Sequence, residues 1–180
     1  FGLRYALVGA FAWRLLIPFY LDKQLVGWTG RTIRDGGIRY LTLSPAPNTR
    51  GLPQALYDPS SYVWNQDQAE EGGKMLIICE GPLDGLKLSW SLREHAGLVP
   101  VALLGMPKQG QIELLGNLSQ CYSSVVVMMD RAAMAQAYNL AAQIQELGGG
   151  RSGSVRIVEP TSKDPGDMTR RQILDALLEH

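Results

Sequence analysis

The sequence predicts an α/β protein in which a parallel sheet with flanking helices follows a smaller, mostly antiparallel β lobe. From Lys74 onward, short and almost wholly apolar runs alternate with helical segments, which is typical of a parallel sheet buried on both faces. Before Gln66, strand-like runs are joined by turns, which indicates antiparallel hairpins. We therefore expect two domains, one over residues 1–66 and one over residues 67–180.

The N-terminal lobe is predicted from three strand-like runs: Leu15–Leu21, Gln24–Ile33 and Ile38–Leu43. Asp22-Lys23 joins the first two runs, and the glycine-rich turn "RDGG" joins the last two. The proline-rich stretch "SPAPNTRGLPQ" then predicts a loop.

The second domain is predicted from four apolar strands, "KMLIICE", "GLVPVALLG", "SSVVVMMD" and "SVRIVEP". Four helical segments lie between or after them: Leu83–His95, "QIELLGNL", "RAAMAQAYNLAAQIQEL" and "MTRRQILDALLEH". Alternation of this kind implies right-handed crossovers between parallel strands. The segment "LGGGRSGS", residues 147–154, is typical of a flexible connector.

Net charge, the number of cysteines and the apolar runs limit the kinds of function that the chain could have, but they do not identify one. The 180 residues carry no net charge, so nucleic-acid binding would need a local basic surface, for which Arg31, Arg34, Arg39 and Arg50 are candidates. The two cysteines cannot build a zinc site alone, and we expect both in the core. The apolar run over residues 5–21 contains an arginine and a proline, so we expect no membrane span and a cytoplasmic protein. Because the chain begins with Phe, we expect it to be a fragment.

Carboxylates gather where the predicted parallel strands end. Glu80 ends the first strand, Asp130 ends the third, and Asp164 and Asp167 follow the fourth; Asp84 lies one helical turn after Glu80. Ligands of open parallel sheets bind beyond the carboxyl ends of the strands. Clustered carboxylates repel one another, and a divalent cation such as Mg²⁺ removes that cost. We therefore expect Glu80, Asp130 and Asp164 to converge at a metal site.

Each acid also has an ordinary structural interpretation. Asp84 could complement a helix dipole, Asp130 could cap a helix, and Asp164 and Asp167 could form a turn. Glu80 is harder to explain in this way, because Glu is a poor cap and follows four apolar residues. The joint occurrence of the acids favours a metal site over these separate explanations.

At these residues the chain resembles the Toprim domain of bacterial and phage DNA primases, a Rossmann-like fold. The matching stretches are "IICEGPLDGLKL", "VVVMMDRAAMAQA" and "SKDPGDM". The earlier stretch "RLLIPFYLDKQLVGWTGRTI…GIRYLTLSP" resembles the segment that precedes Toprim in primases. One departure concerns the Asp-any-Asp motif, which reads Asp130-Arg131-Ala132 and lacks its second acid. A smaller one is "KDPGD", in which the second acid falls one residue later than usual.

The resemblance implies a DNA primase that joins ribonucleotides on single-stranded DNA with Mg²⁺ or Mn²⁺. It implies catalytic roles for Glu80, Asp84 and Asp130, and metal binding by Glu80, Asp130, Asp164 and Asp167. Contacts with nucleic acid or nucleotide fall to Arg31, Arg39, Tyr40 and Lys163. The partners it implies are the template, ribonucleoside triphosphates and, outside this chain, a replicative helicase and a zinc-binding domain. Trp28 could stack on a base or belong to the core.

Two other functions stay open at this point. The chain could be another Toprim enzyme, such as a nuclease or a topoisomerase, although nothing marks the nucleophilic Tyr that a topoisomerase needs. It could also be a non-catalytic nucleic-acid-binding module, with Ala132 as the sign of lost activity. An ordinary nucleotide-binding domain is disfavoured, because neither GxGxxG nor a Walker A motif follows a strand.

Overall fold

The computed structural model describes residues 1–47, 51–149 and 155–178, and within them the strands form two four-stranded sheets. The first sheet is antiparallel, in the order β1-β2-β3-β4. Its strands are β1 Arg4–Ala6, β2 Arg14–Leu21, β3 Gln24–Thr32 and β4 Tyr40–Thr42. The three predicted strands are confirmed, and the three-residue edge strand β1 was not predicted.

The turn between β2 and β3 shows why the sequence folds back there. Asp22 and Lys23 both adopt positive φ, 53° and 63°, in the left-handed region that a two-residue hairpin turn with the right twist requires. The backbone N–H groups of both residues donate to the carboxylate of Asp67, each at 2.8 Å. The tip of the N-terminal hairpin is therefore fastened to the part of the chain that carries the second sheet.

The second sheet is parallel and has the order β6-β5-β7-β8. Its strands are β5 Gly73–Cys79, β6 Leu98–Ala102, β7 Tyr122–Val127 and β8 Val155–Ile157. The helices are α1 Gln66–Glu70, α2 Pro82–Leu92, α3 Gln109–Ser119, α4 Met134–Glu146 and α5 Arg170–Leu178. The four predicted strands and four predicted helices are confirmed, whereas the short α1 was not predicted. The two central strands, β5 and β7, are neighbours, so the residues that follow them end side by side.

Helices cover both faces of the parallel sheet. Residues of α3 and α4 pack with one face in a single apolar cluster. Residues of α2 and α5 pack with the other face, and Ile17, Phe19 and Val26 of the N-terminal sheet belong to that same cluster. The two sheets are thus separate in hydrogen bonding but continuous in their core. The division at residues 66 and 67 stays a prediction.

The structure also shows where the two cysteines and part of the predicted connector lie. Cys79 is buried as expected, but Cys121 is exposed, so its assignment to the core was wrong: it lies in the turn between α3 and β7 rather than within the strand. Residues 150–154 of the predicted connector lie outside the described residues. In the described part of the chain, no helix is both long and apolar enough to cross a membrane.

Candidate active-site cleft

The acids singled out by the sequence lie at one edge of the parallel sheet. Glu80 directly follows β5, and Asp130 follows β7 after two buried methionines. Asp84 is the third residue of α2. Asp164 and Asp167 begin and end a short 3₁₀ turn in the connection from β8 to α5. Four segments of the chain therefore deliver carboxylates to the same place.

Three of these acids come close enough to share one ion. Carboxylate oxygens of Asp84, Asp130 and Asp164 all lie within 4.8 Å of one another. Glu80 and Asp167 line the same cleft but lie outside this group of three. Of the expected trio, Asp130 and Asp164 converge, and Asp84 rather than Glu80 completes the group.

The loop after β8 is held against the other two acids by backbone hydrogen bonds. The N–H of Gly166 donates to Oδ1 of Asp84 at 3.0 Å. An added Cβ at Gly166 would approach that oxygen to 2.8 Å, so the close contact requires glycine. The N–H of Arg131 donates to the carbonyl of Lys163 at 3.0 Å, which ties the loop to the residue after Asp130.

Asp164 has the structural role that a turn residue would have, whereas Asp130 does not act as a helix cap. Asp164 does form the turn, because its Oδ1 accepts a hydrogen bond from the N–H of Asp167 at 2.9 Å. Asp130 precedes a 3₁₀ turn, yet its side chain makes no capping hydrogen bond there. Its Oδ1 is buried and has no hydrogen-bond partner among the described residues. A buried carboxylate oxygen left in this state is costly unless a cation compensates it.

Burial and mutual repulsion raise the pKa of three acids in the cleft. Burial is the main reason that the pKa of Asp84 rises to about 7, and the charges of Asp130 and Asp164 add to it. The pKa of Glu80 is raised by burial and by the same two charges. Burial and Asp164 raise the pKa of Asp130, while Lys163 and Arg39 oppose the rise. Negative charge is therefore in excess at this edge of the sheet.

These residues fit a hard divalent cation. They offer carboxylate oxygens from three separate elements, one of them buried and without a partner. Mg²⁺ and Mn²⁺ favour oxygen ligands of this kind and keep water or phosphate in their remaining positions. A bound ion would offset both the cost of burying these charges and their mutual repulsion.

Basic residues also line the cleft, whose volume is about 400 Å³. All nine residues to which we assigned a role line it: Arg31, Arg39, Tyr40, Glu80, Asp84, Asp130, Lys163, Asp164 and Asp167. Arg31 and Tyr40 are paired across β3 and β4, and the guanidinium carbon of Arg31 lies 4.9 Å from the centre of the Tyr40 ring. The antiparallel sheet thus supplies cations to an anionic edge of the parallel sheet.

Sequence reasoning missed Lys87, which also lines the cleft. Lys87 follows Asp84 by three residues on α2, and this spacing places two side chains on one face of a helix. That signal was present in "LDGLK" but was overlooked beside the acids.

Three other candidates do not line the cleft. Trp28 packs edge-on against Phe11, with ring centres 5.8 Å apart, and belongs to the core of the N-terminal lobe. Arg34 stacks on the ring of Trp13, with 3.7 Å from its guanidinium carbon to the ring centre. Ala132 is exposed in the 3₁₀ turn after Asp130 and does not line the cleft. Arg50 lies outside the described residues.

Comparison of the whole chain with solved structures finds DNA primases. The catalytic core of DnaG matches with a TM-score of 0.64 at 21% sequence identity, over 93% of this chain and 51% of that one. The E. coli primase catalytic core matches with a TM-score of 0.63 at 19% identity, over 90% of this chain and 49% of that one.

The chain has the fold of a DNA primase catalytic core. The primase fragment of the bacteriophage T7 primase-helicase protein also matches, with a TM-score of 0.62 at 14% identity, over 91% of this chain and 62% of that one. This chain spans about half the length of the first two structures. No family profile and no curated protein matches the sequence. The resemblance is therefore one of fold, at identities too low to transfer an activity.

Proposed function

We propose that this chain is the catalytic core of a DNA primase, which synthesises RNA primers on single-stranded DNA by nucleotidyl transfer. The observation that carries the proposal is the single cleft in which an acidic trio faces cations from a different sheet. The primase-like fold supports the same activity. In the proposed reaction, a 3′-hydroxyl attacks the α-phosphate of a ribonucleoside triphosphate, and pyrophosphate leaves.

The cationic side of the cleft would bind the phosphates. Arg31 and Arg39 present planar guanidinium groups, which grip phosphate oxygens through paired hydrogen bonds. Lys163 and Lys87 would add point charges from the loop after β8 and from α2. These residues would fix the triphosphate relative to the acids and thereby align its α-phosphate for attack.

The acidic side would hold Mg²⁺ or Mn²⁺. Asp84, Asp130 and Asp164 form the group that fits one ion, and Glu80 and Asp167 line the cleft within the set assigned to metal binding. When bound, such ions neutralise charge that develops on the transferred phosphoryl group and on the attacking oxygen. The raised pKa of Glu80 suits a second role for its carboxylate, which is to accept the proton of the 3′-hydroxyl.

The same proposal implies the domain organisation, the cellular location and the partners of the protein. The parallel sheet with its acids would be a Toprim domain of residues 67–180, preceded by a basic subdomain of residues 1–66. We place the protein in the cytoplasm, where its partners would be a single-stranded template and ribonucleoside triphosphates. The bacteriophage T7 relative is described as a primase-helicase protein, so a replicative helicase is a further proposed partner, together with a zinc-binding domain outside this chain.

Ala132 favours a second candidate function, a nucleic-acid-binding Toprim module with weakened or absent catalysis. The second acid of the Asp-any-Asp motif would be the residue lost. A nuclease-like Toprim enzyme is the other alternative within the same fold. Both alternatives keep the fold and the basic face, but neither makes a primer.

The test is primer synthesis on single-stranded DNA with ribonucleoside triphosphates and Mg²⁺ or Mn²⁺. We expect labelled RNA products from the native chain and a loss of at least about 100-fold with Asp130→Asn, which removes a central carboxylate charge. Asp175→Asn is the matched control, because Asp175 lies on α5 outside the cleft. Cleavage of the template would favour the nuclease, and DNA binding without synthesis would favour the module.

A further inference from the structure

A second and smaller cavity opens from the cleft between the two sheets. Its volume is about 230 Å³, and Tyr40, Glu80 and Gly81 line both cavities. The rest of this side pocket, as we call it, is lined by Thr29, Thr42, Pro82, Leu104 and Gly105. The side pocket is thus bounded by β3 and β4 on one side, and by the start of α2 and the loop after β6 on the other.

The side pocket and the cleft differ in chemistry. Acids and bases line the cleft, whereas the five residues that line the side pocket but not the cleft are uncharged. Leu104 and Pro82 provide apolar walls. Thr29 and Thr42 provide hydroxyl groups that are hydrogen-bonded to each other at 2.9 Å, and either can be the donor. Apolar walls with a few polar groups are typical of sites for small organic ligands.

Gly105 lies in the loop after β6, at the wall of the side pocket. Gly105 adopts a φ of +108°, a conformation that residues with side chains rarely take. An added Cβ at this position would meet no atom within 4 Å, so the loop leaves free space there. Tyr40 is half-buried and forms part of the wall that joins the two cavities.

We propose that the side pocket binds the nucleobase of the ribonucleoside triphosphate whose phosphates lie in the cleft, an inference that rests on the proposed function. The phosphates match the arginines and lysines of the cleft, and the uncharged base matches the apolar walls. The ribose would bridge the two cavities beside Tyr40 and Glu80. A base in the side pocket stacks on Tyr40 and packs against Leu104, while the hydroxyl of Thr42 hydrogen-bonds to its edge.

The test compares two probes in the same Mg²⁺ buffer: each ribonucleoside triphosphate, and inorganic tripolyphosphate, which has the phosphates without the base. Titration calorimetry of the native chain should show the nucleotide binding at least about 10-fold more tightly than tripolyphosphate, because stacking contributes to its binding. Leu104→Trp fills the side pocket. It should bring nucleotide affinity down to that of tripolyphosphate and leave tripolyphosphate affinity unchanged.

Two further variants control for bulk and for folding. Met106→Trp places the same indole two residues along the loop, where the residue is exposed and does not line the side pocket, and nucleotide binding should persist. Thr42→Val removes one hydroxyl at almost constant volume, and it should change the relative affinities of the four nucleotides without changing that of tripolyphosphate. Thermal denaturation verifies that each variant folds. If Leu104→Trp does not fold, Thr42→Val tests whether the base lies in the side pocket.

The outcomes separate this inference from the proposed function. If tripolyphosphate binds and the nucleotide binds no more tightly, or if Leu104→Trp and Thr42→Val leave nucleotide binding unchanged, the inference is overturned alone. If Leu104→Trp instead weakens binding of a single-stranded oligonucleotide, the side pocket takes a base of the template and the inference is also overturned. If the native chain binds no tripolyphosphate, the phosphate assignment of the proposed function fails.

Discussion

The N-terminal lobe and the rest of the molecule differ in charge as sharply as they differ in sheet type. Residues 1–47 contain six Arg and Lys and two Asp, a net charge of +4. Residues 51–149 and 155–178 contain nine Arg and Lys and fourteen Asp and Glu, a net charge of −5. The zero net charge of the whole chain therefore conceals two oppositely charged regions. Their charges meet in the cleft, where Arg31 of β3 and Arg39, which directly precedes β4, face the acids at the edge of the parallel sheet.

The largest expected effect is the loss of primer synthesis when a carboxylate of the acidic trio is removed. Asp164→Asn keeps the oxygen that accepts from the N–H of Asp167, so the turn should persist while one carboxylate charge is lost. We expect primer synthesis to fall by at least about 100-fold. Asp167→Asn is the matched change at an acid outside the group of three, and it should cost less. Equal losses in the two variants would mean that the group of three has no special role.

The next largest expected effect is weaker binding of single-stranded DNA when an arginine of the N-terminal lobe is removed. Arg31→Ala should weaken single-stranded DNA binding with little loss of stability, and binding should fall steeply with salt in the native chain. The slope of log affinity against log salt should decrease by about 1 in the variant, because one phosphate contact is lost. Arg93→Ala removes an exposed arginine that stacks on Trp90 away from the cleft and should leave the slope unchanged. Salt-independent binding would count against a template groove.

A smaller effect concerns the stability of the metal-free protein. The pKa of Asp84 is raised in the fold, so the folded state favours its protonated form, and stability is lost as pH rises from about 4 through about 7. Asp84→Asn should remove this loss. Relative to the native chain, the variant should gain on the order of 1 kcal/mol at pH 8 compared with pH 5. Thermal melting in a chelator at the two pH values measures it, and a pH-independent difference would contradict the burial of this charge.

The smallest effect tests Ala132. Ala132 is exposed and does not line the cleft. Only if position 132 nevertheless faces the metal site should Ala132→Asp lower the metal concentration needed for half-maximal activity and also lower the stability of the metal-free protein. The native chain should meanwhile work better with Mn²⁺ than with Mg²⁺. Titration of activity with each metal and melting in a chelator measure the two effects. If neither changes, the alignment with the Asp-any-Asp motif has to be withdrawn.

The sequence predicts those parts of the site that depend on strand ends. Glu80 and Asp130 each follow a continuous apolar run, so the run itself locates them at the carboxyl edge of the sheet. Which acids come within ligand distance could not be predicted, because it depends on tertiary hydrogen bonds. The contact from the N–H of Gly166 to Asp84 joins residues 82 positions apart, and no local pattern encodes it.

The fold shows the same division between local and long-range information. The left-handed turn at Asp22 and Lys23 and the buried parallel strands leave clear patterns in the sequence. The three-residue strand β1 and the five-residue helix α1 are too short to show a period, so they were missed. The shared core of the N-terminal sheet and α2 also lacks a local signal, because it joins apolar residues from distant parts of the chain.

The most direct test of the proposed metal centre is saturable Mn²⁺ binding to the protein without nucleotide, followed by electron paramagnetic resonance of the free ion. We expect a binding site in the native chain that is lost in Asp130→Asn and retained in Asp175→Asn. We also expect that binding weakens below about pH 7, because protonated Asp84 cannot serve as a ligand. Negligible binding by the native chain, or equal binding by the native chain and Asp130→Asn, would contradict the assignment of the acidic trio to a metal centre.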